Sequence, residues 1–200
     1  MKNRIDVLPD RIIKHFTSEI CFMRELLIYQ LELAYTPKLL DYSQQRDEGW
    51  WISIERIIGH HPQIESLFDF TKMLDTLAYF HRDLKHFRIH FSHHDTSPKN
   101  FILTSELCYL IDFSEINVRK TEYDIVSFFL FAVDFLPHEQ LASLLDYFIK
   151  HFAPFYRIND QIIFNSVVEF DYRRALYNKP NIISEEKQAK RVLIGDRLIS

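Results

Sequence analysis

Two hundred residues, 47% hydrophobic and 26% charged, suit one sizeable core or two small lobes, but not two full domains. A net charge of −4 gives no electrostatic case for a nucleic-acid partner. Glycine is scarce, at 3 residues against 18 Phe and 10 Tyr, and loops that cradle phosphates usually need it.

Residues 5 to 16 read as a short extended segment ending in Ile12-Ile13-Lys14. Thr17 or Ser18 can cap a helix with Glu19 in its first turn. Ile20, Met23, Leu27 and Leu31 form its apolar stripe, and Thr36-Pro37 marks its end. Lys38 to Ser43 reads as a strand, Gln44 to Gly49 as a polar turn, and Trp50 to Ile58 as a second strand of the same hairpin. After Gly59 and Pro62 the pattern changes. Leu67, Phe70, Leu74, Leu77 and His81 line one face of a long helix. A loop follows, and then two short apolar runs, Phe101 to Leu103 and Leu107 to Phe113, read as another hairpin. Beyond about residue 122 the pattern is helical, with Leu141, Leu144, Leu145, Phe148 and Phe152 on one stripe. The expected class is α+β, mixed first and mostly helical second, with a hinge at 55–60.

Cys21 and Cys108 sit in apolar runs and read as reduced, buried thiols. No apolar segment follows a basic start, so no signal peptide is expected. The most apolar stretch, Phe128 to Val133, is broken by Asp134 and too short to span a bilayer. A cytoplasmic location without a transmembrane segment is therefore the expectation.

Chemistry concentrates at His93-His94-Asp95-Thr96-Ser97-Pro98-Lys99-Asn100, which fits H-x-D-x-x-x-x-N. Asp112-Phe113-Ser114 follows twelve residues after Asn100, at the end of an apolar strand. Phosphoryl transfer needs positioning and charge neutralisation rather than covalent help. One carboxylate must face the incoming hydroxyl, while an Asn oxygen and a second carboxylate hold Mg²⁺ against nucleotide phosphates. The spacing supplies all three groups. Together they are a fairly specific signal; singly each is weak.

This segment resembles the catalytic loop and Asp-Phe-Gly region of the protein-kinase-like superfamily, including aminoglycoside and choline phosphotransferases and RIO-type kinases. The resemblance implies Asp95 as catalytic base, His93 as the histidine that packs the loop, and Asn100 and Asp112 as metal ligands. It implies Lys14 as the phosphate-binding lysine, Glu25 as its carboxylate partner, and Glu55 and Ile57 as the backbone positions that meet adenine. Asp124 resembles the aspartate that anchors the catalytic loop. ATP and Mg²⁺ are the implied cofactors. The implied architecture is bilobal, with a reduced N-terminal lobe at 1–58 and a helical C-terminal lobe at 59–200. The second lobe holds the catalytic loop 93–100 and the metal-binding segment 112–114.

His81-Arg82-Asp83-Leu84-Lys85 spells a more literal kinase motif, yet the fifth residue after Asp83 is Arg88 rather than Asn. Asp95, not Asp83, is therefore the expected centre. No glycine precedes Lys14, so the glycine-rich lid is expected to be absent, replaced, or completed by a protein partner. Ser114 stands where a glycine would allow positive φ. Ser114 to Asp124 has no room for a long activation segment, and Ser97 stands where Ser/Thr kinases carry Lys. These features point to a small-molecule, sugar or lipid hydroxyl as acceptor. An atypical RIO-like Ser/Thr kinase and a pseudokinase or nucleotide-binding scaffold are the alternatives. The helical stretch 137–178, with Phe155-Tyr156-Arg157 and Tyr172-Arg173-Arg174, is where the resemblance puts the acceptor pocket. The tail from Ile183 to Ser200 reads as a final helix or a partner-binding arm. Ten histidines do not make a zinc enzyme, because adjacent pairs such as His60-His61 diverge and no H-E-x-x-H occurs.

Overall fold

The computed structural model describes residues 4–43, 49–176 and 183–199. The expected turn at Gln44–Gly49 falls almost wholly outside them, as do the last two residues of the stretch 137–178. The chain forms two compact units, Met1–His61 with Lys99–Ile116, and Pro62–Pro98 with Asn117–Ser200. Among the described residues, no helix is long and apolar enough to cross a membrane.

The first unit is built on a four-stranded antiparallel sheet of β1 (Arg4–Val7), β2 (Arg11–Phe16), β3 (Leu39–Tyr42) and β4 (Trp50–Glu55), in the order β1-β2-β4-β3. The single extended segment expected at 5–16 is thus a hairpin. Pro9 lacks a backbone donor and interrupts the ladder, and Leu8 N–H closes the turn on Arg11 O at 2.9 Å. In β2 and β4, Lys14 pairs with Ile52 and Ile12 with Ile54. Helix α1 (Glu19–Gln30) starts at Ser18, whose Oγ accepts from Cys21 N–H.

The α1 stripe expected from periodicity is not the buried one. Ile20 and Met23 are 62% and 54% exposed, whereas Phe22, Glu25, Leu26, Ile28 and Tyr29 are buried. The helix is apolar on more than one side, so periodicity alone cannot choose its inner face. Specific partners choose it. Phe22 meets Phe16 edge-on with ring centroids 5.8 Å apart, and Tyr29 meets Phe113 at 5.4 Å. The hairpin of β6 (Phe101–Leu103) and β7 (Cys108–Leu110) completes this unit. It is tied to the segment after β4 by reciprocal backbone bonds between His60 and Leu103, at 3.0 and 2.8 Å. Gly59 makes that approach possible, because a Cβ there would lie 2.3 Å from Leu103 O.

The second unit is mostly helical. Helix α2 (Leu67–His86) buries Phe70, Leu74, Leu77 and His81 of its expected face, and Phe80 beside them, while Leu67 is half-buried. A two-residue pair, β5 (Phe91–Ser92) with β8 (Asn117–Val118), brackets the loop that begins at His93. Helices α3 (Glu122–Phe135), α4 (His138–His151), α5 (Asp160–Leu176) and α6 (Glu185–Leu198) follow. Phe128, Phe129 and Phe148 interlock edge-on at 5.4 and 5.6 Å, so the expected α4 stripe does face the core. The tail is a docked helix. Its Ile194 and Leu198 are buried, Lys187 pairs with Asp134, and Arg191 grips both oxygens of Asp171.

Candidate active site

In the first unit, strand β2 carries Lys14 inward until its side chain is only 6% exposed. Its ammonium lies 2.5 Å from Glu25 Oε1 on α1 and 2.9 Å from Asp112 Oδ1 beyond β7. Tyr29 OH donates to the same Glu25 oxygen at 3.3 Å, one helical turn on. Burial opposes the charge on Lys14, but Glu25 and Asp112 outweigh it and hold the ammonium above its ordinary pKa. Full burial pushes Glu25 up while Lys14 pulls it down. Burial also pushes the Tyr29 phenol up, and the neighbouring carboxylates reinforce that shift.

Asp112 is the residue left most open, with its side chain 44% exposed. Its backbone is left-handed (φ 60°, ψ 74°), which an aspartate tolerates better than most side chains. The positive φ therefore falls on Asp112 and not on Ser114. Ser114 lies in a short 3₁₀ turn, and its hydroxyl donates to Asp112 Oδ1 at 2.9 Å.

Lys14, Tyr29 and Asp112 edge a cavity of 240 Å³ whose lining lies entirely within the first unit. One part is apolar, formed by Ile5, Ile12, Ile54, Ile57, Ile102 and Ile111. The other presents Lys14, Asn100 and Asp112. Glu55 and Ile57 also line it. Glu55 spends its N–H on Lys38 O and Arg56 spends its own on Asp10 O. The Ile57 N–H has no partner among the described residues. Asn100 is buried, and its carbonyl accepts from Ile111 N–H at 2.9 Å, fixing it beside the strand that delivers Asp112.

His93 and Asp95 belong to the second unit, on a loop gripped by a single carboxylate. Asp124, near the start of α3, accepts four hydrogen bonds. They come from His81 Nε2 at 2.9 Å, Ser92 Oγ at 3.0 Å, and the backbone N–H groups of His93 and His94 at 2.6 and 2.9 Å. Burial opposes the Asp124 charge, but the His81 bond and the His81 and His93 charges hold its carboxyl below the usual range. His94 has positive φ (71°). Its ring meets Glu169 Oε1 at 2.5 Å and its carbonyl accepts from Arg173 at 2.6 Å, so α5 fastens the loop from the other side. His93 packs edge-on against Phe80 at 6.3 Å. Asp95 is buried, and the neighbouring hydroxyls of Thr96 and Ser97 have no hydrogen-bond partner among the described residues.

The structure thus gathers Lys14, Glu25 and Asp112 into one ionic cluster, and Lys14, Glu55, Ile57, Asn100 and Asp112 around one cavity. Tyr29 and Glu169 were not singled out from the sequence, and Ser114, His81 and Arg173 were read there in other roles. His81 had a readable signal, since a histidine on an otherwise apolar helix face must find a buried partner. Glu169 and Arg173 had none, because their partner is a loop 75 or more residues away.

No protein-family model matches the sequence, and no curated protein does. Solved structures do match the fold. The ADP-bound aminoglycoside phosphotransferase APH(2'')-Ib aligns with a TM-score of 0.55 at 15% identity, over 99% of this chain and 92% of that one. A choline/ethanolamine kinase family protein from Mesorhizobium loti gives 0.55 at 10% identity, over 100% and 88%. The gentamicin complex of APH(2'')-IIa gives 0.51 at 16% identity, over 99% and 88%. At these identities the likeness concerns the fold. The chain has the α+β fold of kinase-like phosphotransferases along essentially its whole length.

Proposed function

We propose that this protein is an ATP- and Mg²⁺-dependent phosphotransferase acting on a hydroxyl of a small molecule, sugar or lipid. The observation that carries the reading is the buried Lys14 ammonium, held by Glu25 and Asp112 at the polar end of an isoleucine-lined cavity. A flat, apolar base suits the isoleucine walls, and the unpartnered Ile57 N–H is a donor for its edge. Lys14 then meets the phosphates, with Glu25 keeping the ammonium in place.

The donor chemistry fits the metal. Asn100 and Asp112 offer hard oxygens, and no group of three or more His, Cys, Asp or Glu able to hold a metal occurs among the described residues. Mg²⁺ commonly takes one or two protein oxygens and completes its shell with phosphates and water. Bound there, it would neutralise charge on the transferring phosphates. Asp95 accepts the acceptor's hydroxyl proton as that oxygen bonds to the γ-phosphorus. The bond to the β–γ bridging oxygen breaks, and ADP leaves. His93 and Asp124 keep the loop in position for this step. On this reading residues 1–58 serve as the reduced nucleotide lobe and 59–200 as the catalytic and acceptor lobe.

Two things favour a small acceptor. The segment from Ser114 to Asp124 is too short for a peptide-docking loop, and the matched structures are described as an aminoglycoside phosphotransferase, a choline/ethanolamine kinase family protein and a gentamicin complex. The test is incubation of the purified protein with labelled ATP, Mg²⁺ and a panel of hydroxyl acceptors. The expected result is ADP and a labelled acceptor. ATP binding with no ADP from any acceptor would instead make the protein a nucleotide-binding regulator.

A further inference from the structure

A second cavity of 240 Å³ lies wholly within the helical unit, and no residue of the loop 93–97 lines it. Its charge runs against that of the molecule. The chain carries −4 overall, yet Arg82, Lys85, Arg119 and Lys120 line the cavity with one acidic residue, Glu122. Arg82 already pairs with Asp83 at 3.6 Å and Arg119 with Glu169 at 2.6 Å. Lys85 and Lys120 have no carboxylate partner among the described residues. Both are exposed at the rim. Beside them the lining is apolar and aromatic, with Tyr79 and Phe155 exposed, Ile89 and Tyr156 half-buried, and Phe152 and His81 buried.

The His81 end connects to chemistry. Asp124 accepts from His81 Nε2 at 2.9 Å, and on the other side of the ring Nδ1 meets the Tyr156 hydroxyl at 3.0 Å. The same Asp124 carboxylate holds the backbone N–H groups of His93 and His94, the two residues before Asp95. Whatever rests on Tyr156 and His81 therefore rests on the support of the Asp95 loop.

We infer that this cavity is a regulatory site for a small phosphate monoester with an apolar body, coupled through Tyr156, His81 and Asp124 to the loop that carries Asp95. A dianionic head suits the two unneutralised lysines, and the aromatic wall suits the body. The ligand stiffens the loop by fixing its support. This site is separate from the nucleotide cavity, and its occupancy does not depend on that cavity's function.

The test uses 1-naphthyl phosphate as probe on the intact protein. Saturable binding with a Kd below about 1 mM is expected. The exposed-rim variant Lys85→Gln/Lys120→Gln should weaken it by about tenfold, and Phe155→Ala, also exposed, by about fivefold. Amide exchange at His93 and His94 should slow about fivefold when the probe is bound. Inorganic phosphate and neutral 1-naphthol should each bind at least about tenfold more weakly, because each uses half the site. n-Octyl phosphate tells aliphatic from aromatic sources; tighter binding of either phosphate supports the site and identifies the body. Absence of saturable binding, equal affinity for inorganic phosphate or naphthol, or indifference to the lysine variant would overturn the site. Unchanged exchange at His93 and His94 would overturn the coupling.

Discussion

The ammonium of Lys14 and the carboxylate of Glu25, eleven residues apart in the chain, meet at 2.5 Å with both side chains buried. Strand β2 and helix α1 are joined by only Thr17 and Ser18, so the helix starts almost at once and its second turn returns Glu25 to the strand. Such a pair stabilises little against an apolar replacement, but removing Lys14 leaves Glu25 a buried charge with only the Tyr29 hydroxyl beside it, whereas removing Glu25 leaves Lys14 with Asp112. Lys14→Met should therefore destabilise the protein by roughly 3 kcal/mol, read by urea unfolding. The double variant Lys14→Met/Glu25→Leu should cost clearly less than the two single changes summed. Additive losses would mean that the two charges do not depend on each other.

Asp124 governs the loop's response to acid. Its folded pKa is held below the usual carboxylate range by the His81 bond and the His81 and His93 charges, against the cost of burial. A carboxylate depressed in this way contributes fully above its unfolded value, near 4, and loses that contribution as pH falls through the folded value. Asp124→Asn should cost roughly 3 kcal/mol at pH 7, since it turns one acceptor of four bonds toward donors. The gap between wild type and variant should narrow steadily below about pH 4. Thermal unfolding across pH 7 to 3 measures it.

Gly59→Ala places a methyl 2.3 Å from Leu103 O and 2.7 Å from Ile102 Cγ2. Backbone must move, so a loss of about 1–3 kcal/mol is expected. Ile102 lines the isoleucine cavity proposed for the nucleotide, so on that reading affinity for Mg-ATP should fall with stability. Calorimetric unfolding and a nucleotide titration on the same variant check both effects.

Much of this was legible in the sequence, for identifiable reasons. Lys14 lies on a short strand, and Asn100 and Asp112 lie in turns beside short strands, where local pattern dictates position. Apolar periodicity found the inner faces of α2 and α4, because each helix has one apolar side. It failed on α1, where Ile20 and Met23 compete with Phe22 and Leu26, and aromatic partners from distant segments decide. The isoleucine cavity was not legible. Ile12, Ile54, Ile102 and Ile111 come from four separate segments and converge only in three dimensions. His81 appeared as core, yet it is the buried support of Asp124.

The most direct test compares phosphoryl transfer from labelled ATP by Asp95→Asn and Asp83→Asn. Asp95 lies on the loop gripped by Asp124, whereas Asp83 sits on α2 beside Arg82. The account predicts that Asp95→Asn abolishes transfer while leaving Mg-ATP binding unchanged, and that Asp83→Asn stays close to wild type. Loss of transfer in Asp83→Asn with activity retained in Asp95→Asn would contradict it.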